Sequence, residues 1–404
     1  MILTLKYKIR PSRAQYARLD GILRLQRELY NAALQERCDA WTKSHVSITK
    51  LDQNKSLTAI RSFDQRFATL PVALSRWTIA RLDDAMKGFF ARVKRGQSPG
   101  FPRFRSASRW ESFGFVEWKG VRLLGDRLVF GGLAGALRLH MHRPVPIGAV
   151  PKAMTLRRQG RCWFACIAVD VPVAAVHAAP GSAIGLDVGI EHLVTSSDGE
   201  HIANARPRSR RERDLRLAQR ALARCKRGSR RRAKVKSRVS VIQAQTARAR
   251  ATYLHQVSAR LARDYALIGV EQLKVRNMTR SSRGSAAEPG TNVKAKSGLN
   301  RAMLDASPAR LIQLLTYKAE RAGGRVIAVD PRHTSQDCSV CGKRVKKSLS
   351  ERRHICACGA DMQRDHNAAV NILSRALACD ERVMPLGGDK PGVSLVCPGM
   401  AVAA

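Results

Sequence analysis

The sequence predicts a multidomain α/β protein. Its first domain is a β-barrel or sandwich interrupted by helices, and its second is an α/β domain carrying a small cysteine module. Three observations support this. A chain of 404 residues can fill two or three cores. In the first half the apolar period changes from two residues to a helical repeat and back again. In the second half, short apolar runs alternate with long helical stretches, and four of the ten cysteines fall between Cys338 and Cys358.

Residues 3–10 alternate apolar and basic side chains and read as a strand. Ser12 and Gln15 form a capping box that opens a helix striped by Tyr16, Leu19, Leu23 and Leu29. A second helix is expected over about residues 71–95, with Leu82, Met86, Phe89 and Val93 on one face. The turn-rich Pro99-Gly100-Phe101-Pro102-Arg103-Phe104 closes the helical block, which spans about residues 11–108. Short alternating segments return over residues 110–169, with a hairpin near Gln159-Gly160. Residues 1–175 therefore form the first domain. An Ala-, Pro- and Val-rich stretch follows, with the linker at residues 176–181.

Residues 183–188 read as a buried strand, and two more strands flank the hairpin turn Asp198-Gly199. A helical stretch over about residues 210–264 bends at Gly228-Ser229. An apolar strand ends at Glu271, and residues 277–297 form a basic loop open to ordering by a ligand. A helix at 307–322 leads to a strand at 325–329. Three strands, helix, strand, helix, strand, helix is the succession of a ribonuclease-H-like domain, here residues 182–334 and 362–378. Residues 379–404 read as a disordered tail.

Lys and Arg number 73 against 31 Asp and Glu, a net charge of +42. Such self-repulsion is relieved by a polyanion, so nucleic acid is the expected partner. A membrane surface is the rival, but no amphipathic anchor is visible. The most apolar stretch, residues 165–176, is broken by Asp170 and Pro172. The first twelve residues carry Lys6, Lys8 and Arg10 without an apolar leader core, so a cytoplasmic location is expected.

Asp187 and Glu271 each end an apolar strand, where a lone carboxylate is costly. If the two strands are parallel neighbours, both acids project from one sheet edge. Asp365 starts the last helix. Three such acids can hold two hard divalent cations, magnesium or manganese, for in-line attack on a phosphate. Taken singly, each could equally be a structural ion pair. Cys338-Ser339-Val340-Cys341 and Cys356-Ala357-Cys358 have the spacing of a closed, structural zinc site within a ribbon over residues 335–361. Residues 343–353 are expected to form its hairpin.

Four segments then resemble one family. They are Gly185-Leu186-Asp187-Val188-Gly189, Val270-Glu271-Gln272-Leu273, Thr334-Ser335-Gln336-Asp337-Cys338-Ser339-Val340-Cys341-Gly342 and Arg364-Asp365-His366-Asn367-Ala368-Ala369-Val370-Asn371-Ile372. They are similar to TnpB, the RNA-guided nuclease of bacterial insertion sequences, related to compact type V CRISPR effectors. The likeness is specific over about residues 182–377. It implies a RuvC nuclease domain with catalytic Asp187, Glu271 and Asp365, and zinc on Cys338, Cys341, Cys356 and Cys358. It also implies a wedge barrel with a helical recognition insertion in residues 1–175. Guide RNA and double-stranded DNA are the implied partners, with the arginine-rich residues 206–238 along the heteroduplex. Two departures stand out: the second knuckle is C-x-C, and Gln363 replaces a frequent acid. A nuclease-inactive RNA-guided repressor and a transposase joining DNA ends with the same triad are the alternative functions.

Overall fold

The computed structural model describes residues 1–383 except 161, 175, 178, 286, 349 and 350, together with residues 395–396. It divides into two compact units, Met1–Pro172 and Val173–Ala404.

In the first unit, β1 (Ile2–Arg10) precedes α1 (Arg13–Ser44), α2 (Lys50–Phe63), α3 (Gln65–Ala68) and α4 (Val72–Lys94). Six strands follow: β2 (Ser112–Phe115), β3 (Val121–Leu124), β4 (Arg127–Phe130), β5 (Leu137–His140), β6 (Val150–Gln159) and β7 (Cys162–Asp170). They form one antiparallel sheet in the order β2-β6-β7-β1-β5-β4-β3. No pairing joins β2 to β3 among the described residues, so the expected barrel is an open half-barrel. Closure depends on pairing between distant edges, which strand patterning cannot reveal. Leu3, Leu5, Tyr7 and Ile9 alternate into the core.

The Ser12–Gln15 capping box is formed at the start of α1. Helix α4 turns Leu74, Thr78, Ile79 and Leu82 inward, whereas Val93 is half exposed. The stripe proposed from Leu82 to Val93 therefore leaves the core in its last turns. Trp110, Phe113 and Phe115 are buried and pack as core.

The second unit opens with β8 (Ala183–Asp187), β9 (His192–Ser196) and β10 (His201–Ala203). Helices α5 (Glu212–Ala223) and α6 (Arg230–Asp264) form a hairpin, and β11 (Leu267–Glu271) follows. Then come α7 (Val275–Met278), α8 (Val293–Ala306), α9 (Pro308–Arg321) and β12 (Arg325–Val329). The basic loop is thus shorter than expected, since α8 begins at Val293. Ser307, in the left-handed backbone region, separates α8 from α9. The pair β13 (Arg353–Ile355) and β14 (Asp361–Gln363) precedes α10 (Arg364–Val383), and β15 is Leu395–Val396.

The paired strands β13 and β14 enclose the second cysteine knuckle, and among the described residues no strand pair lies within 343–352, where the hairpin was expected. Of the segment expected as a tail, residues 379–383 are helical and 395–396 form a strand, and the rest lie outside the described residues.

The main sheet has the order β10-β9-β8-β11-β12-β15. Strands β8, β11 and β12 run parallel, while β9 and β10 are antiparallel to their neighbours. β8 and β11 are almost continuously buried because helices cover both faces. Leu254, Leu261, Leu311 and Leu315 from α6 and α9 pack on one side. Ile372 and Ala376 of α10 pack on the other.

Candidate metal centres

Register places Val270 of β11 opposite Leu186 of β8, so the next residues, Glu271 and Asp187, end adjacent parallel strands. Val329 lies opposite Glu271, and Asp330 follows it as a further acid on the same edge. The third element, α10, crosses directly above this pair of strands. Gly185 and Gly269 are register partners. A Cβ on Gly185 would sit 2.1 Å from the Ala369 carbonyl oxygen, and one on Gly269 would sit 2.9 Å from Ala376 Cβ. Two adjacent glycines thus let the helix lie against the sheet backbone, with Asp365 in its first turn. His366 Nε2, 3.0 Å from the Ser197 carbonyl oxygen, ties that turn to the end of β9.

Burial pushes the Asp187 carboxyl up to about 8, with repulsion from Glu271 and Asp365 adding to it and Arg364 opposing. Burial also raises Glu271, against the hydrogen bond from Thr334 and the charge of Arg375. The three sequence-predicted acids therefore feel one another electrostatically. Their oxygens do not close within 4.8 Å, a distance reached among the described residues by the cysteine cluster. Neither Asp187 nor Asp365 has a side-chain hydrogen bond or ion pair among the described residues. Three mutually repelling carboxylates, two of them without a side-chain partner among the described residues, are suited to cations.

The four thiols are locally assembled. Cys338 and Cys358 Sγ are 3.7 Å apart, and Cys341 and Cys356 Sγ are 3.6 Å apart. Disulfide sulfurs approach to about 2.05 Å. A tetrahedral zinc with Zn–S of about 2.3 Å has S···S edges of roughly 3.8 Å. The cluster fits that ion, and the C-x-C knuckle does not prevent closure. Fully buried His354 lies against the Cys338 thiol and favours its ionised form, and the buried Lys347 Nζ has no hydrogen-bond partner among the described residues. They are donors suited to the surplus negative charge of four thiolates on one divalent ion.

The α5–α6 hairpin carries the arginine-rich segment largely in the open: Arg213, Arg216, Arg220, Arg231 and Arg238 are exposed. Sequence reasoning missed Asp330, Thr334 and Arg375. The strand-end position of Asp330 was a readable signal. The other two act through contacts that leave no pattern.

Residues 309–372 match the family model described as "Cas12f1-like, TNB domain", and residues 166–282 match "Probable transposase". The Escherichia coli (strain K12) protein "Putative RNA-guided DNA endonuclease InsQ" is 33% identical over 308 residues, covering 75% of this chain and 74% of that protein. The chain belongs to the TnpB family. Another relative, the "Putative RNA-guided DNA endonuclease" of Streptomyces pristinaespiralis, is 29% identical over 94% of this chain and 91% of its own length. The protein in the "Cryo-EM structure of the Cas12f1-sgRNA-target DNA complex" is 14% identical. It matches with a TM-score of 0.55 over 90% of this TnpB-family chain and 83% of its own, a likeness of fold. Among the described residues, no helix is long and apolar enough to cross a membrane.

Proposed function

We propose that this TnpB-family chain is an RNA-guided DNA endonuclease whose RuvC-type centre hydrolyses a phosphodiester bond. The observation that carries this reading is the meeting of Asp187, Glu271 and Asp365 at one sheet edge, with the Asp187 carboxyl driven to about 8. The order β10-β9-β8-β11-β12, with only β9 reversed among the five, is that of a ribonuclease-H-like sheet and supports the RuvC assignment. The guided DNA substrate is carried over from the relatives, both described as RNA-guided DNA endonucleases.

Asp187, Glu271 and Asp365 would hold magnesium or manganese. Cations bound there would activate a water molecule and neutralise charge on the phosphate and the leaving oxygen. The chain itself orients one ligand through Thr334 and seats α10 against Gly185 and Gly269. The exposed arginines of α5 and α6 offer phosphate contacts along a guide–target duplex. Residues 1–175 would act as a wedge with a helical recognition insertion, contacting guide RNA and a short motif flanking the target. Zinc on the four cysteines would be structural.

The test is cleavage of double-stranded DNA by protein purified with its bound RNA. Cutting is expected to follow the RNA's variable end, to need magnesium or manganese, and to stop with calcium. Unchanged, sequence-indifferent cutting by RNase-treated protein would remove the guide from this reading. A second reading, joining of DNA ends, is favoured by the description "Probable transposase" for residues 166–282. Strand-transfer products in the same reaction would support it over simple breaks.

A further inference from the structure

The segment between β12 and the first cysteine knuckle has no regular structure, yet it is fixed along its length. Asn367, Asn371 and Arg375 are spaced four residues apart on α10 and form one stripe. Asn371 Nδ2 donates to the carbonyl oxygens of Thr334 and Asp337 at 2.8 and 2.7 Å. Asn367 Nδ2 donates to the same Asp337 oxygen at 2.8 Å, and its Oδ1 accepts from the Ser339 N–H at 2.9 Å. Arg375 donates to the carbonyl oxygens of Asp330 and Arg332 and to the Asp337 carboxylate. His333, with φ of 61°, turns the chain sharply just before Thr334.

These contacts pin the segment on both sides of Thr334, and Asn371 holds its carbonyl oxygen directly; Thr334 itself is 3% exposed. Its hydroxyl lies 2.5 Å from Glu271 Oε1 and 3.2 Å from the Pro331 carbonyl oxygen. A hydroxyl has one proton to donate, and the nearer, charged acceptor takes it. Thr334 is stiff at χ1, whereas Glu271 ends a strand on three rotatable bonds. A single donor on Oε1 therefore restrains the glutamate and leaves Oε2 without a hydrogen-bond partner among the described residues.

We propose that Thr334 is a positioning residue that presents Glu271 to a divalent cation. The root of the cysteine ribbon, clamped to α10, serves as its frame. This rests on the reading of Glu271 as a cation ligand. It gives the ribbon a part in catalysis, because its root supplies a hydrogen bond to one ligand of the other metal centre.

The test uses full-length, RNA-loaded protein. Cation occupancy is read by backbone scission with iron(II) and ascorbate near residues 187, 271 and 365, competed by magnesium. Thr334→Val, which removes the donor, is expected to raise the magnesium concentration for half-competition by about tenfold, the usual order for loss of such a partner. The magnesium dependence of cleavage should shift in parallel. Thr334→Ser should recover most of both losses, to within about threefold of wild type, because it keeps the donor and gives up only the χ1 stiffness of the β-branch. Zinc content and melting temperature serve as controls for a merely structural effect. Asn371→Ala keeps the hydroxyl and loosens the frame, and should move half-competition in the same direction. It keeps the proposal testable should Thr334→Val fold poorly. Unchanged half-competition in Thr334→Val, or in Asn371→Ala if the valine variant does not fold, would overturn the positioning role. If scission at these positions is equally strong in Glu271→Ala, the ligand reading itself fails instead.

Discussion

The cysteine centre draws four ligands from one short module, Cys338 to Cys358, and its sulfurs already stand 3.6 and 3.7 Å apart in pairs. The proposed carboxylate centre would draw its three ligands from two strands and a helix spread between residues 187 and 365, and their oxygens do not close within 4.8 Å. A local ligand set closes as its own loop folds. A distributed set is brought together only by the packing of the whole α/β layer. The first is therefore sensitive to the loss of a ligand, whereas the second is also sensitive to anything that shifts one element against another.

The sharpest way to break this contrast is to remove a distributed ligand. Asp187→Ala, Glu271→Ala or Asp365→Ala should each lower cleavage by about a thousandfold or more, as loss of several kcal/mol of transition-state stabilisation requires. Binding of guide and target should persist, measured by gel shift. Near wild-type cutting by any of the three would remove that residue from the centre.

A shift of one element comes next. Gly185→Ala places a methyl 2.1 Å from a backbone oxygen of α10, so the helix and Asp365 must move. We expect a stability loss of about 1–3 kcal/mol and a large loss of cleavage. Gly269→Ala meets mainly a side-chain methyl at 2.9 Å and should be milder on both counts. The reverse ranking in thermal melts and cleavage assays would contradict the close seat of α10 on Gly185.

Loss of a local ligand should do less to the chemistry. Cys338→Ser is expected to lower bound zinc from about one ion per chain to none, by elemental analysis. Cleavage should fall less than with Asp187→Ala, because β8, β11 and α10 still hold their acids. Equal losses would mean that the centres are not separable.

The last contrast is electrostatic and concerns stability, not cleavage. Asp187 is raised to about 8 and Glu271 is raised as well, so the folded chain keeps protons that the unfolded chain releases above about pH 4. Without divalent cation, stability should be full below the unfolded value and decline as pH rises through about 8. Melting curves from pH 5 to 9 in chelator should show that slope, and Asp187→Asn should flatten it.

Much of this layout was legible because burial and capping leave local marks. Continuous apolar runs announced β8 and β11, and Ser12 with Gln15 announced α1. Helix α2 escaped because only Gln53 and Leu57 are buried on it, too few to form a stripe. The openness of the half-barrel is set by pairing between distant strands. In the carboxylate centre, the two strand ends were visible as acids closing apolar segments. Their parallel adjacency is a property of the assembled sheet. Asn371 and Arg375 share a polar stripe on α10, but polar spacing alone does not say that it faces backbone carbonyls, and the bond from Thr334 to Glu271 joins residues 63 apart.

The seat of α10 on two facing glycines also orders events in time. Strands β8 and β11 and their two acids are synthesised well before residue 365. Until the helix emerges, that face of the nascent sheet lacks its cover of Ile372 and Ala376, and two of the three acids proposed as ligands lack the third. A chain still on the ribosome would thus carry the basic surface without a finished cutting centre. Arrival of the last helix would close the sheet and arm the site in one step.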